Sequence, residues 1–204
     1  MNELLAVAAI TLLAVISPGA DFAMITRNSY LYGRRAGVWT ATGIACGVWV
    51  HVGYTLLGVS VLFSQMPWLF HGIKVLGAGY LMWIGWQTMR QAPVAVVLGG
   101  EQGSLGVWQA WQNGFLTNAL NPKTTLFVLS TFTQIVHQTT PLAVQLAYGA
   151  LMSGAPWLWF AAVALLLSKP ALRNRLLARQ QMVNRIIGIL LLGLGLLLLV
   201  AAAA

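Results

Sequence analysis

The sequence predicts an all-α membrane protein of six transmembrane helices, arranged as two inverted three-helix repeats. Three observations carry this reading. Charged residues are too few to cover a water-facing surface, six apolar stretches reach spanning length, and two proline-centred interruptions fall at matching places in the two halves. Of 204 residues, 59% are hydrophobic and 7% charged, with a mean hydropathy of +0.79; a soluble domain carries about 25% charged residues. The single cysteine, Cys46, excludes a disulfide scaffold, and the apolar excess excludes disorder. A net charge of +8 would suit a nucleic-acid partner, but the basic residues fall in loops between apolar stretches. That is a topology signal, and no nucleic-acid partner is expected.

A span needs about 20 mostly apolar residues. Six are read at roughly 4–32, 38–62, 68–89, 108–136, 142–167 and 183–203. No Lys or Arg precedes the first, and it runs into a polar break rather than a small-residue cleavage site, so it reads as a mature span. The turn Tyr32-Gly33-Arg34-Arg35 bounds the second. The sixth, Ile186 through Val200, is dominated by leucine. Arg27, Arg34 and Arg35 follow span 1, Arg90 follows span 3, and Lys169, Arg173, Arg175, Arg179 and Arg185 follow span 5, so nine of the 11 basic residues share one side. Lys74 lies near the other side, close enough to snorkel outward. The positive-inside rule then puts these loops in the cytoplasm and both termini outside. Trp68 and Trp157 are expected at one interface, Trp86 and Trp108 at the other. The Gly-rich stretch 91–107 reads as a cytoplasmic linker between a first repeat, 1–90, and a second, 108–204. Residues 169–182 read as a basic interfacial helix, with Leu172, Leu176 and Leu177 toward lipid and Arg173, Arg175 and Arg179 toward phosphates, or as a solvated loop.

Span 1 is interrupted at Ser17-Pro18-Gly19 and span 4 at Asn121-Pro122-Lys123, each roughly 13 residues after its span begins. With three spans per half, the two interrupted helices run in opposite directions, the pattern of inverted-repeat transporters. Ser and Asn are preferred N-caps and proline is preferred at the first helical position, so Ser17-Pro18 and Asn121-Pro122 each read as a fresh helix start inside a span. Free N–H groups there, above all those after Pro122, are expected to meet a substrate carboxylate. Gly19 permits a close approach.

Asp21 is the one acid inside a span; Glu3 lies at an end and Glu101 in a loop. Intramembrane charges usually line a cavity and carry function. Asp21 sits in the first turn of the new half-helix, where the dipole favours its ionised form. It reads as the group for a substrate amine, a coupling proton or both, or as a structural partner of Lys123, the only base deep in a span. Asn118 and Asn121 flank Lys123 with donors and acceptors. His51 reads as a packing residue or a proton relay. Cys46, with Gly43 and Gly47, reads as small-residue helix packing, and Gly77 and Gly79 thin span 3. No metal site, cofactor or P-loop is found. An intramembrane acid protease needs two acids sharing a proton, so no enzyme is expected.

Ser17-Pro18-Gly19-Ala20-Asp21, the Arg34/Arg35 loop, Gly43 to Gly47, Gly77 to Leu81 with Trp83-Ile84-Gly85, Gly114 to Asn118 and Asn121-Pro122-Lys123 together resemble the LysE/RhtB family of bacterial amino-acid exporters, in order over roughly 10–135. The resemblance implies a multi-pass bacterial inner-membrane exporter of amino acids or close derivatives, threonine- or homoserine-like, driven by proton antiport. The family pattern usually has a second proline where this chain has Ala20, which softens the start of the half-helix. The expected site is Ser17, Pro18, Gly19, Asp21, Asn118, Asn121, Pro122 and Lys123, with Asp21 coupling protons. Its partners are a small amino acid, protons and the lipid bilayer; a homo-oligomer is compatible with the sequence but not dictated by it. The rival readings are a cation or metal exporter of related architecture and a non-transporting scaffold subunit.

Overall fold

The computed structural model describes residues 3–17, 19–65, 67–90, 104–137, 139–167 and 170–203, without many of the side chains in 59–74 and 167–183. Among these residues all regular structure is helical: α1 (Glu3–Ile16), α2 (Ala20–Gln65), α3 (Pro67–Arg90), α4 (Val107–Ala119), α5 (Pro122–Ile135), α6 (Leu142–Leu167) and α7 (Pro170–Ala203). The interruptions lie where expected. α1 and α5 have 14 residues each and α4 has 13. At 1.5 Å per residue each is about 20 Å long, short of the roughly 30 Å hydrocarbon core. Each is continued by, or continues, a second helix across the break. By contrast, stretches 20–58 and 142–166 are each long and apolar enough to cross alone.

The expected turn at Tyr32–Arg35 is instead a one-residue kink. Helix α2 runs on for 46 residues, with only Gly33 non-helical (φ 79°, ψ 178°). A side chain is strained at that φ, and glycine is not. The kink divides α2 into an arm, 20–32, and a long segment, 34–65. Residues 170–182 form neither a loop nor a separate helix, but the first turns of α7, opened by Pro170 at a position where proline is tolerated. Arg179 is exposed there; Leu172, Arg173, Arg175, Leu176 and Leu177 lie outside the described side chains, as do His71 and Lys74. Most of the 91–107 linker lies outside the described residues as well.

Helix α2 packs on α4 and α6, and α3 packs on α7 and α5. Glycines set these distances. A Cβ on Gly43 would collide with the Trp111 carbonyl and the Phe115 amide, and one on Gly114 with the Thr40 carbonyl. The α2–α4 contact is therefore backbone on backbone from both sides. Gly85 and Gly188 do the same between α3 and α7. Gly77 abuts Ser130, whereas Gly79 faces open space. Cys46, expected in this packing, is exposed: Gly43 and Gly47 turn to α4, Ile44 and Ala45 are buried, and Cys46 turns away. Trp157, expected beside Trp68 at an interface, donates its indole N–H to Thr42 Oγ1 on α2 at 3.1 Å. Ile10, Val52, Val128, Phe132 and Met152 form a buried cluster joining α1, α2, α5 and α6. Glu3 ties the start of α1 to this body, accepting from Thr140 Oγ1 (3.1 Å) and Tyr148 OH (2.9 Å).

Because Gly43 touches backbone that has no rotamer to yield, Gly43→Ala is expected to lower stability by about 1–3 kcal/mol. Gly58→Ala, with open space around it, should not destabilise. Thermal unfolding of both variants in detergent checks this contrast.

Candidate functional site

The two breaks face each other. At the second, Asn121 caps α5: its Oδ1 accepts from the Lys123 amide at 3.0 Å, and Pro122 is the first helical residue. This is the arrangement expected from the sequence. One consequence differs. The Thr124 and Thr125 amides donate to the Asn121 carbonyl (3.0 and 3.1 Å), so the amides after Pro122 are already occupied by Asn121 and are not free for a carboxylate.

At the first break the expected cap is shifted. The Ser17 amide still donates to Leu13 O (3.1 Å), and the first bond of α2 runs from Ala23 N to Gly19 O (3.0 Å). Ser17 therefore closes α1 rather than opening α2, and Gly19 is the cap. Pro18 lies outside the described residues. The registers now align differently from the sequence reading: Gly19, Ala20 and Asp21 hold the places that Asn121, Pro122 and Lys123 hold in α5. Ala20 stands where Pro122 does, and two opposite charges, Asp21 and Lys123, stand at the same step after each break.

Each charge reaches into the other half. Lys123 Nζ donates to Ser17 O (3.0 Å) and to Ser17 Oγ (2.9 Å), so it caps the carboxyl end of α1, where a cation is favoured. Ser17 Oγ also shares a hydrogen bond with Thr88 Oγ1 of α3 at 2.7 Å. The Lys123 stem lies 3.4 Å from where a Gly19 Cβ would be, the close approach expected of that glycine. Asp21 Oδ2 accepts from Asn118 Nδ2 (2.8 Å), which also donates to Thr124 Oγ1 (3.2 Å). Lys123, Asn121 and His51 lie within electrostatic or hydrogen-bonding reach of Asp21. Asp21 Oδ1 and Asn118 Oδ1 are buried without a hydrogen-bond partner among the described residues. Asn118 Oδ1 rests against Gly47, where a Cβ would sit 2.9 Å from it.

His51 belongs to this network, which the sequence reading left open. It is 1% exposed. Its Nε2 lies 2.9 Å from the Asn118 carbonyl, which can only accept, so Nε2 carries a hydrogen. In the neutral ring Nδ1 then accepts from Tyr54 OH at 2.6 Å. His51 thereby gives a second donor to the carbonyl at the end of α4, which also accepts from the Asn121 amide at 2.8 Å. Thr88 carries no mark in the sequence, and Thr124 is uninformative there because threonine often bonds its own helix backbone; their partners are brought to them by folding and not by spacing. Ser17, Gly19, Asp21, Asn118, Asn121, Lys123 and Thr124 line one cavity of about 50 Å³, room for a few waters. Gly19, Asn121, Pro122 and Lys123 also border a second, wider recess beside Tyr80, Trp83 and Gln87 of α3.

Apolar helices cut in mid-course, with the cuts meeting at buried charges and a cavity, define a membrane translocator. The LysE type translocator family model matches residues 12–202, and the chain belongs to that family. It is a transmembrane transport protein and not an enzyme. It is 30% identical over 200 residues to the threonine efflux protein of Escherichia coli K12, with 97% of each chain covered. It is 29% identical over 198 residues to that of Salmonella typhi, with 96% of each covered. It is also 31% identical over 173 residues to the uncharacterized membrane protein YahN of Escherichia coli K12, covering 84% of this chain and 78% of that one. No solved structure matches significantly.

Ala20 is exposed at the first helical position, where φ suits proline and an amide is not needed. Ala20→Pro is therefore expected to fold normally and to gain about 0.4–1 kcal/mol by restricting the unfolded chain, read as a small rise in Tm.

Proposed function

We propose that this protein is a secondary-active exporter of amino acids driven by inward movement of protons. The observation that carries the reading is the placement of Asp21 and Lys123 at corresponding steps of two helix breaks that face one cavity. A zwitterion bears the complementary pair of charges. Its carboxylate competes with Ser17 for the Lys123 ammonium, and Thr88 remains to bond the Ser17 hydroxyl. Its ammonium is taken by Asp21, whose Oδ1 is a buried acceptor in need of a donor. Membership of the translocator family and relatives named threonine efflux protein support amino-acid export.

The proposed architecture is six spans: α1 with the arm of α2, the rest of α2, α3, α4 with α5, α6, and α7. They form two inverted repeats, 1–90 and 108–204, joined by 91–107, in a bacterial inner membrane with both termini outside. Halves that rock about a fixed central site give alternating access. Glu3 stands at the outer end of the first proposed span and Asp21 lies deep within it, so Asp21 is the group on which an incoming proton displaces the substrate amine. A protonated Asp21 no longer attracts an ammonium, and release outward follows.

Asp21→Asn keeps an acceptor for Asn118 Nδ2 and removes the charge. It should still fold, with a lowered Tm because Lys123 loses its counter-charge, while losing proton-driven efflux at least tenfold. Purified protein in proteoliposomes under an imposed pH gradient provides the test; efflux at the parental rate in the folded variant would eliminate Asp21 as the coupling group.

A further inference from the structure

Resting on that reading, we infer that the transported amino acid has an uncharged, apolar side chain of leucine or methionine type, in preference to a hydroxylated one. The cavity is chemically two-sided. Its polar lining belongs to the two breaks: Ser17, Asp21, Asn118, Asn121, Lys123 and Thr124. Most of the rest is hydrocarbon and thioether, its deepest members being Val48 from α2, Phe127 and Val128 from α5, Met152 and Phe160 from α6. All five of these are buried, Val128 at 0% and Met152 at 1% exposure. An amino acid that places its ammonium and carboxylate on Asp21 and Lys123 uses up the polar part, and its side chain is left to the apolar wall.

That wall supplies no side-chain partner for a hydroxyl. The two hydroxyls of the lining belong to the breaks and not to the wall: Ser17 bonds Lys123 and Thr88, and Thr124 accepts from the Asn118 amide. A substrate hydroxyl lodged against that wall would lose water bonds that no side chain of the wall replaces. A third charge, as on lysine, would be desolvated with no counter-charge, since Asp21 and Lys123 balance each other. At about 50 Å³ the cavity must widen to seat an amino acid, and the unbranched Met152 is the wall residue with the most freedom to re-pack. The helix contacts thus separate recognition of the common zwitterion, done by the breaks, from recognition of the side chain, done by α2, α5 and α6.

Counterflow in proteoliposomes of the full chain tests this, with labelled leucine and labelled threonine each challenged by unlabelled leucine, methionine, threonine, homoserine and lysine. Leucine and methionine are expected to compete about tenfold or more better than threonine or homoserine, the scale on which apolar pockets discriminate. Met152→Ser, which places a hydroxyl in the wall, should narrow the leucine-to-threonine ratio severalfold in protein shown to be folded. Threonine or homoserine competing as well as leucine would overturn the side-chain assignment and leave the exporter reading standing. Exchange of none of the five amino acids would overturn both. An unchanged ratio in Met152→Ser would remove the α6 wall from the side-chain pocket.

Discussion

A helix cut inside an apolar environment releases backbone groups that have no water to turn to, and this constraint organises the molecule. Each unsatisfied group in such surroundings costs several kcal/mol. The chain resolves two cuts jointly. Asn121 satisfies the amides of α5 with its own side chain and carbonyl. The remaining carbonyls are met from elsewhere: that of Ser17 by Lys123 from the opposite break, that of Asn118 by His51 from α2. The second break is met largely by its own residues, the Asn118 carbonyl also accepting from the Asn121 amide, whereas the first draws on Lys123 from the other half of the chain. The half-helices must therefore be brought within hydrogen-bonding distance, and the paired glycines at Gly43 and Gly114 allow α2 and α4 to come that close.

The same geometry explains how buried charge is tolerated. Breaking a buried pair by removing one member leaves an uncompensated charge, which is strongly destabilising; a site that holds one acid and one base is neutral as a whole. Asp21 is further held by an amide donor and by the amino end of α2, Lys123 by the carboxyl end of α1. The polarity of each helix end matches the charge placed against it. The arm of α2 that carries Asp21 is bounded by the break on one side and by the Gly33 kink on the other. Those are the points where backbone angles can change without dismantling a helix, the usual requirement for a hinge.

Much of this was legible in the sequence. Composition alone announces a membrane protein, and the proline dipeptides mark both interruptions. Asn121-Pro122 behaves as its chemistry dictates, because both its donor and its acceptor are local. Ser17-Pro18 does not: the Ser17 hydroxyl has stronger partners, Lys123 and Thr88, over a hundred and about seventy residues away, and Gly19 takes the cap. The register that pairs Ala20 with Pro122 follows from this and was invisible without it. His51 was undervalued for a related reason. A lone histidine in an apolar run carries no signal until the carbonyl it serves is known. Gly33 shows the opposite limit: a glycine followed by two arginines reads as a turn, yet one residue with positive φ is enough to redirect a helix that continues on both sides.

The central claim is that one site recognises both charges of a zwitterion, one from each break. Equilibrium binding of leucine to the purified protein, compared with the amine that lacks its carboxylate and the acid that lacks its amine, tests this most directly. The account predicts saturable binding of leucine, with each single-charge analogue weaker by at least about tenfold, the equivalent of one lost charged hydrogen bond. Binding of either analogue as tightly as leucine would contradict it, because one of the two breaks would then contribute nothing to recognition.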